Sequence, residues 1–346
     1  MRPPRQAQAA RKRVHAVLLF VAVTPGLWWQ PPTPAGERSG TLAIAPLPIA
    51  ARQGDRKVQV AGAWVLESDD RRFVGYSALV VGTGGRLRAY SDSSRWLEFD
   101  PPDRPGSRAP QFGAVPGYEP TGHNDLESAT RDPASGLTWL GFEHLNSLRR
   151  IGPGAEQVAS AKPPAMADFR RNGGAESLVR LPDGRFVAIA ESAHWRYPLR
   201  RTGLLFAKDP VIDDRAARFV FVPPLAFNPT DAAALPDGRV LILTRGLSPG
   251  GWPPFRSKLL IADAADIRPG QVWEWQELAD LSGLFPPENY EGLAVERRGP
   301  GFVLWLIADA NRSAVLQRTL LVKLIWDGRS PGRPAKARLR RPVRPS

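Results

Sequence analysis

Acidic residues recur at matching places along this chain, and their chemistry is that of hard-cation binding and proton transfer. Glu127, Glu176, Asp231 and Glu291 each open a segment of one plan: an acid, an apolar stretch, a Gly-containing turn, a second β-rich stretch and a closing polar residue. The closing residues are Glu143, Glu191, Arg245 and Asp309, and an earlier segment repeats the plan from Ser77 to Asp92. Glu127, Glu176, Asp231 and Glu291 are the candidate metal ligands. Carboxylate donors in a chain without cysteine favour Ca²⁺, with Mg²⁺ second, over thiolate-bound metals. Asp125 and Glu143 are candidates to activate water, and His194 or Arg245 to meet a phosphate or similar anion. His123 and His144 also lie beside the acids. A single histidine is more often a loop or packing residue, so only their shared location draws attention to them.

These groups can act together only if a repeated scaffold brings them to one place. The segments start at 77, 127, 176, 231 and 291, a spacing of about 50–60 residues. The third and fourth carry the same turn, Leu181-Pro182-Asp183-Gly184-Arg185 and Leu235-Pro236-Asp237-Gly238-Arg239. Asp-Gly between apolar runs is a hairpin signal, and several short strands per unit at this period mark a β-propeller. The expected fold is therefore all-β, a propeller of five or six blades, with an open all-β sandwich array as the alternative. Thr202–Ala207, Ala217–Val222, Ser257–Ala262 and Gln271–Glu277 read as outer strands. The last blade is a strand short after Gln317–Trp326. The N-terminal run Thr41–Ile49 is expected to complete it and close the ring, and Asp55–Ser68 is left over for a sixth blade. Only Pro164–Arg170 and Leu278–Leu284 read as helical.

In a propeller the first strand of each blade lines the axis and the second returns beside it. The start of one and the end of the next then share a face, which gathers the acids around one mouth. Two carboxylates about 7 Å apart repel by about 2–2.5 kcal/mol at an effective dielectric near 20. Such a ring needs compensation. A central cation supplies it in one reading; in the other the acids tie neighbouring blades by accepting backbone N–H and Arg hydrogen bonds.

Composition narrows the function classes. The 346 residues carry 47 Lys+Arg against 34 Asp+Glu, a formal net charge of +13. Five of the basic residues lie in residues 1–13 and seven in 329–346, so 35 remain between them against the same 34 acids. A nearly neutral body argues against a nucleic-acid-binding fold. The lack of cysteine excludes a disulfide framework and a cysteine nucleophile. Gly82-Thr83-Gly84-Gly85 lies in a hairpin turn and Ser77, in Gly75-Tyr76-Ser77-Ala78-Leu79, lacks the second glycine of a nucleophile elbow, so neither marks a nucleotide loop or a serine hydrolase. Basic residues to Arg13 followed by apolar Val14–Val23 read as a signal peptide, or as a membrane anchor ending at Trp28-Trp29 if it stays uncleaved. The basic, Pro-rich C-terminal tail reads as solvated and disordered.

Asn124-Asp125-Leu126-Glu127-Ser128, Gly173-Gly174-Ala175-Glu176-Ser177-Leu178, Pro229-Thr230-Asp231, Asn289-Tyr290-Glu291-Gly292-Leu293 and Leu304-Trp305-Leu306-Ile307-Ala308-Asp309-Ala310-Asn311 occur in that order. With them the chain, from about Thr41 to Trp326, resembles the phytase-like family (the "esterase-like activity of phytase" domain) of exported bacterial proteins. The resemblance implies an acid-rich repeated β domain and a phosphoester or ester hydrolase. Ser77 and Arg245 depart from the pattern by standing where an acid is expected. The division expected is a signal peptide or anchor over 1–35, the propeller over 41–328 and a tail over 329–346. The function expected is an exported, calcium-dependent hydrolase of a small anionic ester or phosphoester, periplasmic or secreted and monomeric, with membrane contact only through its N-terminal segment. A non-catalytic periplasmic propeller and a sugar-lactonase-like hydrolase are the alternatives.

Overall fold

A computed structural model describes residues 40–49, 57–73, 75–117, 125–170, 173–194 (without the side chains of Ser192 and His194), 197–247, 254–310 and 318–331. The expected signal peptide or anchor and the C-terminal tail beyond residue 331 lie outside the described residues. Among the described residues no helix is long and apolar enough to cross a membrane, which says nothing of strands.

The described strands form five antiparallel sheets. Two N-terminal strands, β1 (Ala43–Pro46) and β2 (Val58–Glu67), precede the first complete sheet, β3 (Tyr76–Val81), β4 (Leu87–Ser91), β5 (Arg95–Phe99) and β6 (Gln111–Ala114). The second is β7 (Leu126–Arg131), β8 (Thr138–Phe142), β9 (Ser147–Ile151) and β10 (Gln157–Ala161). The third is β11 (Ala175–Arg180), β12 (Phe186–His194), β13 (Tyr197–Phe206) and β14 (Ala216–Phe221). The fourth is β15 (Phe227–Ala234), β16 (Arg239–Leu247), β17 (Phe255–Asp263) and β18 (Gln276–Asp280). The last begins with β19 (Tyr290–Arg298), β20 (Gly301–Ala308) and β21 (Leu320–Trp326), and its order is β1-β2-β21-β20-β19. The innermost strands pack in a closed circuit, β3 on β7, β7 on β11, β11 on β15, β15 on β19 and β19 on β3. This is a five-bladed propeller.

Closure joins the two ends of the chain, as expected, but by a different strand. β2, from the segment left over for a sixth blade, pairs with β21 from Val58↔Trp326 to Val65↔Leu320. β1, from the run expected to close the ring, adds a fifth strand outside β2. Both segments are spent on one blade. The two expected helices are also corrected: Pro164–Met166 is a single 3-10 turn, and Leu278–Asp280 ends β18.

Stability comes from the seams between blades. Each of five apolar clusters spans one seam, for example Leu241 and Leu243 of blade four against Leu304 and Leu306 of blade five, and Trp139 and Leu148 of blade two against Leu178 and Phe186 of blade three. Adjacent blades thus share a core, and no blade buries its own two faces without its neighbours. The repeated turns fold alike: Gly184 and Gly238 take φ of +88° and +89°, and the Leu181 and Leu235 N–H groups reach the Arg185 and Arg239 carbonyls at 2.8 and 2.7 Å. Only glycine enters that region without strain.

Leu66 N–H donates to the Thr319 carbonyl at 2.9 Å, beside the β2–β21 pairing, so proline there removes a donor from the closing ladder. Leu66→Pro is expected to lower the melting temperature by about 5 °C or more, read by circular dichroism. An unchanged melting curve would mean that β2 does not hold the ring shut.

Candidate functional site

The mouth is built by one irregularity repeated five times. Each innermost strand carries a β-bulge near its start, and the extra residue is Ser77, Glu127, Glu176, Thr230 or Glu291. A bulge re-aims its side chain and increases local twist. A second tier follows the partner strand: Asp92, Glu143, Glu191, Arg245 and Asp309 stand one residue past Ser91, Phe142, Ala190, Thr244 and Ala308, the partners of the residues just before each bulge. The same backbone bond seats the second tier in three blades: Glu143 N–H donates to the Asp125 carbonyl at 2.8 Å, Glu191 to Gly174 at 3.1 Å and Asp309 to Asn289 at 2.8 Å.

Among the described residues, the two tiers enclose a cavity of about 400 Å³ whose eleven lining residues include eight carboxylates and a single guanidinium, Arg245. Asp125, Glu127, Glu143, Glu176, Arg245 and Glu291, six of the eight residues singled out from sequence, line it together. Asp231 does not. It sits one residue past the bulge, in the register held by Ser128 in blade two, and is wholly buried. Its Oδ1 accepts from Ala232 N–H at 2.8 Å and its Oδ2 from Leu293 N–H of blade five at 2.6 Å. Ser128 performs the same service, donating to the Ala175 carbonyl of blade three at 2.6 Å. Asp231 is therefore a tie between blades, and Thr230 holds the bulge position that was read as an acid. In blade five the register residue is Gly292, where a Cβ would come within 3.0 Å of the Ala78 backbone of blade one. The side chain of His194, and His123, Asn124, Trp195 and Arg196, lie outside the described residues.

Burial and crowding shift the acids together. Burial drives Glu127 well above the ordinary carboxylate range, with Glu176, Asp125 and Glu291 adding to it. Glu176 is raised in the same way by burial, then by Glu191 and Glu143. Glu143 is pushed up to about 8, by burial first and its contact with Asp125 next, against the opposing N–H of Gly174 that reaches its Oε1 at 2.9 Å. Burial also raises Glu291, opposed by Arg245 and Asn289. Loss of solvation lowers Arg245, yet Glu291, Glu191 and Glu176 outweigh this and hold it above its ordinary value. Arg245 bonds Glu291, Asn289 and, at 3.0 Å, Glu191. The guanidinium expected to meet a substrate anion is thus engaged within the protein.

Among the described residues two groups have ligand spacing. Carboxylate oxygens of Glu143, Glu176 and Glu191 lie within 4.8 Å of one another, as do ligand atoms of Asp125, Glu143 and His144. His144 Nδ1 pairs with Asp125 Oδ2.

The family described as phytase-like, esterase-like activity of phytase, matches residues 71–312. The chain belongs to the phytase-like family. A comparison of this phytase-like chain with curated proteins finds no match. Among solved structures it is similar to a luciferin-regenerating enzyme, at 12% identity over 75% of this chain and 80% of that one with a TM-score of 0.44. It is also similar to the PQQ-bound aldose sugar dehydrogenase of Streptomyces coelicolor, at 13% identity over 83% and 100% with a TM-score of 0.39. The Cps50 (Swd1) β-propeller domain of Myceliophteria thermophila matches at 11% identity over 82% and 99% with a TM-score of 0.38. Likeness at this level says nothing of chemistry.

In the phytase-like mouth, sequence reasoning left Glu191 and His144 out of the site, although both were in view as neighbours of the repeats. It also gave no role to Asn289, whose Nδ2 donates to Glu291 Oε1 at 2.8 Å.

Asp231→Asn would set an amide donor against a backbone N–H. It is expected to cost about 1–3 kcal/mol in a denaturant titration, whereas Glu176→Gln in metal-free protein relieves repulsion and should cost nothing. Equal and negligible effects would move Asp231 back into the mouth. The pH dependence has a definite sign. Glu143 keeps its proton in the folded state from the ordinary 4.5 up to about 8, where the unfolded chain has released it. The stability this contributes is full below pH 4.5 and is lost as pH rises toward 8. The melting temperature of EDTA-treated protein should fall between pH 5 and 8, and a rise across that window would contradict the assignment.

Proposed function

We propose that this phytase-like propeller is a metal-dependent hydrolase of a small anionic phosphoester or ester, with calcium as its preferred ion and magnesium as the alternative. The observation that carries the reading is the convergence of Glu143, Glu176 and Glu191, with oxygens within 4.8 Å of one another at the mouth. An all-oxygen donor set that is crowded, buried and otherwise self-repelling suits a hard divalent cation. These three residues, with Glu127 beside them, would hold the ion, which would polarise a phosphoryl or carbonyl oxygen and acidify a bound water.

The chain's own residues do the remaining work. Asp125 orients the His144 imidazole through Nδ1, leaving Nε2 as the nitrogen that takes and returns a proton. Gly174 N–H fixes Glu143 through one oxygen and leaves the other for the ion. The basic and then apolar residues 1–29 support a place in the periplasm or outside the cell.

A non-catalytic propeller is the second reading, favoured by the interblade work of Asp231 and Arg245. The two part on turnover. Full-length protein stripped with EDTA and assayed on phosphomonoesters, phosphodiesters and carboxylic esters should gain activity with calcium. His144→Ala should lose about 10²-fold in turnover while its calcium-induced thermal shift stays intact. No turnover on any class with calcium present would leave the binding propeller standing.

A further inference from the structure

The five-fold arrangement is broken at two blades: blade one has Ser77 at the bulge, and blade four departs in both tiers. Blades two, three and five place Glu127, Glu176 and Glu291 at the bulge, whereas blade four places Thr230 there and Arg245 in the second tier. Thr230 is buried away from the cavity, with its Oγ1 3.4 Å from the Tyr290 carbonyl. Blade four therefore gives the mouth a cation and no carboxylate. That cation is fixed from three sides: one guanidinium nitrogen serves both Glu291 and Asn289 of blade five, and the other reaches Glu191 Oε1 of blade three at 3.0 Å. Glu291 is held by the same pair, since Asn289 Nδ2 also donates to its Oε1 at 2.8 Å.

The consequence is an asymmetric mouth. On the side of blades four and five, charge is met inside the protein by Arg245. On the side of blades two and three, Asp125, Glu127, Glu143 and Glu176 crowd together, and of the described acids on that side the recorded hydrogen bonds and ion pairs join Arg245 to Glu191 alone. We propose that Arg245 stands in for a second cation: it commits Glu291 to an interblade pair and confines divalent-metal binding to one ion on the side of blades two and three. Arg245 is thus a positioning residue that sets how many ions the mouth takes. This rests on the metal reading above, in the sense that a protein that binds no calcium has no stoichiometry to set.

The test counts calcium ions on the folded full-length chain, by isothermal titration and native mass spectrometry with calcium alone as the probe. Wild type should bind one ion, Arg245→Gln two, and Arg245→Lys, which keeps the charge, one. In the otherwise wild-type protein, Glu291→Gln should change calcium affinity by less than about threefold, while Glu176→Gln should weaken it by about 30-fold or more. Two ions on wild type, one ion on folded Arg245→Gln, or equal losses in the two glutamine variants would overturn the proposal. If Arg245→Gln does not fold, the Glu291 and Glu176 pair decides alone. Wild type that takes up no calcium at all would remove the metal reading itself, a result distinct from each of these.

Discussion

Mutual repulsion among carboxylates at the axis is the constraint around which the rest of this protein is arranged. Closing five blades in a circle forces five strand starts and five strand ends into one small mouth, whatever residues they carry. Here most of those residues are acids. Each must shed solvation to be there, and each raises the cost of ionising the next. The structure meets this in three ways. Loss of solvation and mutual repulsion hold Glu127 and Glu176 well above the ordinary carboxylate range, which favours their protonated forms. A half-buried guanidinium spans Glu191 and Glu291. A backbone N–H, that of Gly174, holds Glu143. The first of these fails as pH rises, which is the physical ground for the divalent cation proposed at blades two and three.

Strength to hold such a crowd comes from elsewhere in the blades. The five apolar clusters lie at the seams, so pushing the acids apart at the mouth would have to open packed contacts such as the Trp139 ring of blade two on the Phe186 ring of blade three. The seams are stitched a second time by polar ties close to the axis: Ser128 to Ala175, Thr230 to Tyr290 and Asp231 to Leu293. At the ends of the chain the last blade is completed by β2 against β21, which turns a row of blades into a ring. A ring transmits load; an open row would splay.

The sequence carries the architecture because the repeat is written in turns and apolar runs, which are local signals. Leu-Pro-Asp-Gly-Arg recurs in blades three and four and folds identically in both. The second tier was legible for the same reason, since Glu143, Glu191, Arg245 and Asp309 each close an apolar strand. What was misread depends on register. A β-bulge leaves no residue signature of its own, and an acid beside an expected acid draws the alignment to itself. Asp231 was chosen over Thr230 on type, yet counting back from the shared turn gives the right answer: Glu176 precedes Leu181 by five residues, and the residue five before Leu235 is Thr230. Closure was misassigned because Thr41–Ile49 and Asp55–Ser68 both have strand character, and only pairing partners distinguish an outer from an inner place. Glu191 was placed at the mouth and His144 beside it, yet neither was chosen as a site residue, because their value lies in proximity to Glu176 and to Asp125, which spacing along the chain does not encode.

One residue of register separates two chemistries in this protein. At four of the five bulges the side chain is turned into the mouth, where an acid is left to be satisfied by protons, a guanidinium or the proposed metal. One residue further on, it is turned into the seam, where an acid such as Asp231 is satisfied by the neighbouring backbone and becomes part of the frame. Glu291 and Asp231 are both carboxylates at the head of a blade, and both face blade boundaries, but only Glu291 remains in the cavity. Arg245 then draws a second line within the mouth itself, taking Glu291 partly into the frame by pairing it across the seam between blades four and five. A ring of acids in a propeller is thus a mixture of ligands and ties. The donors already bonded to each oxygen, more than the residue type or its place in the repeat, decide which of the two each acid becomes.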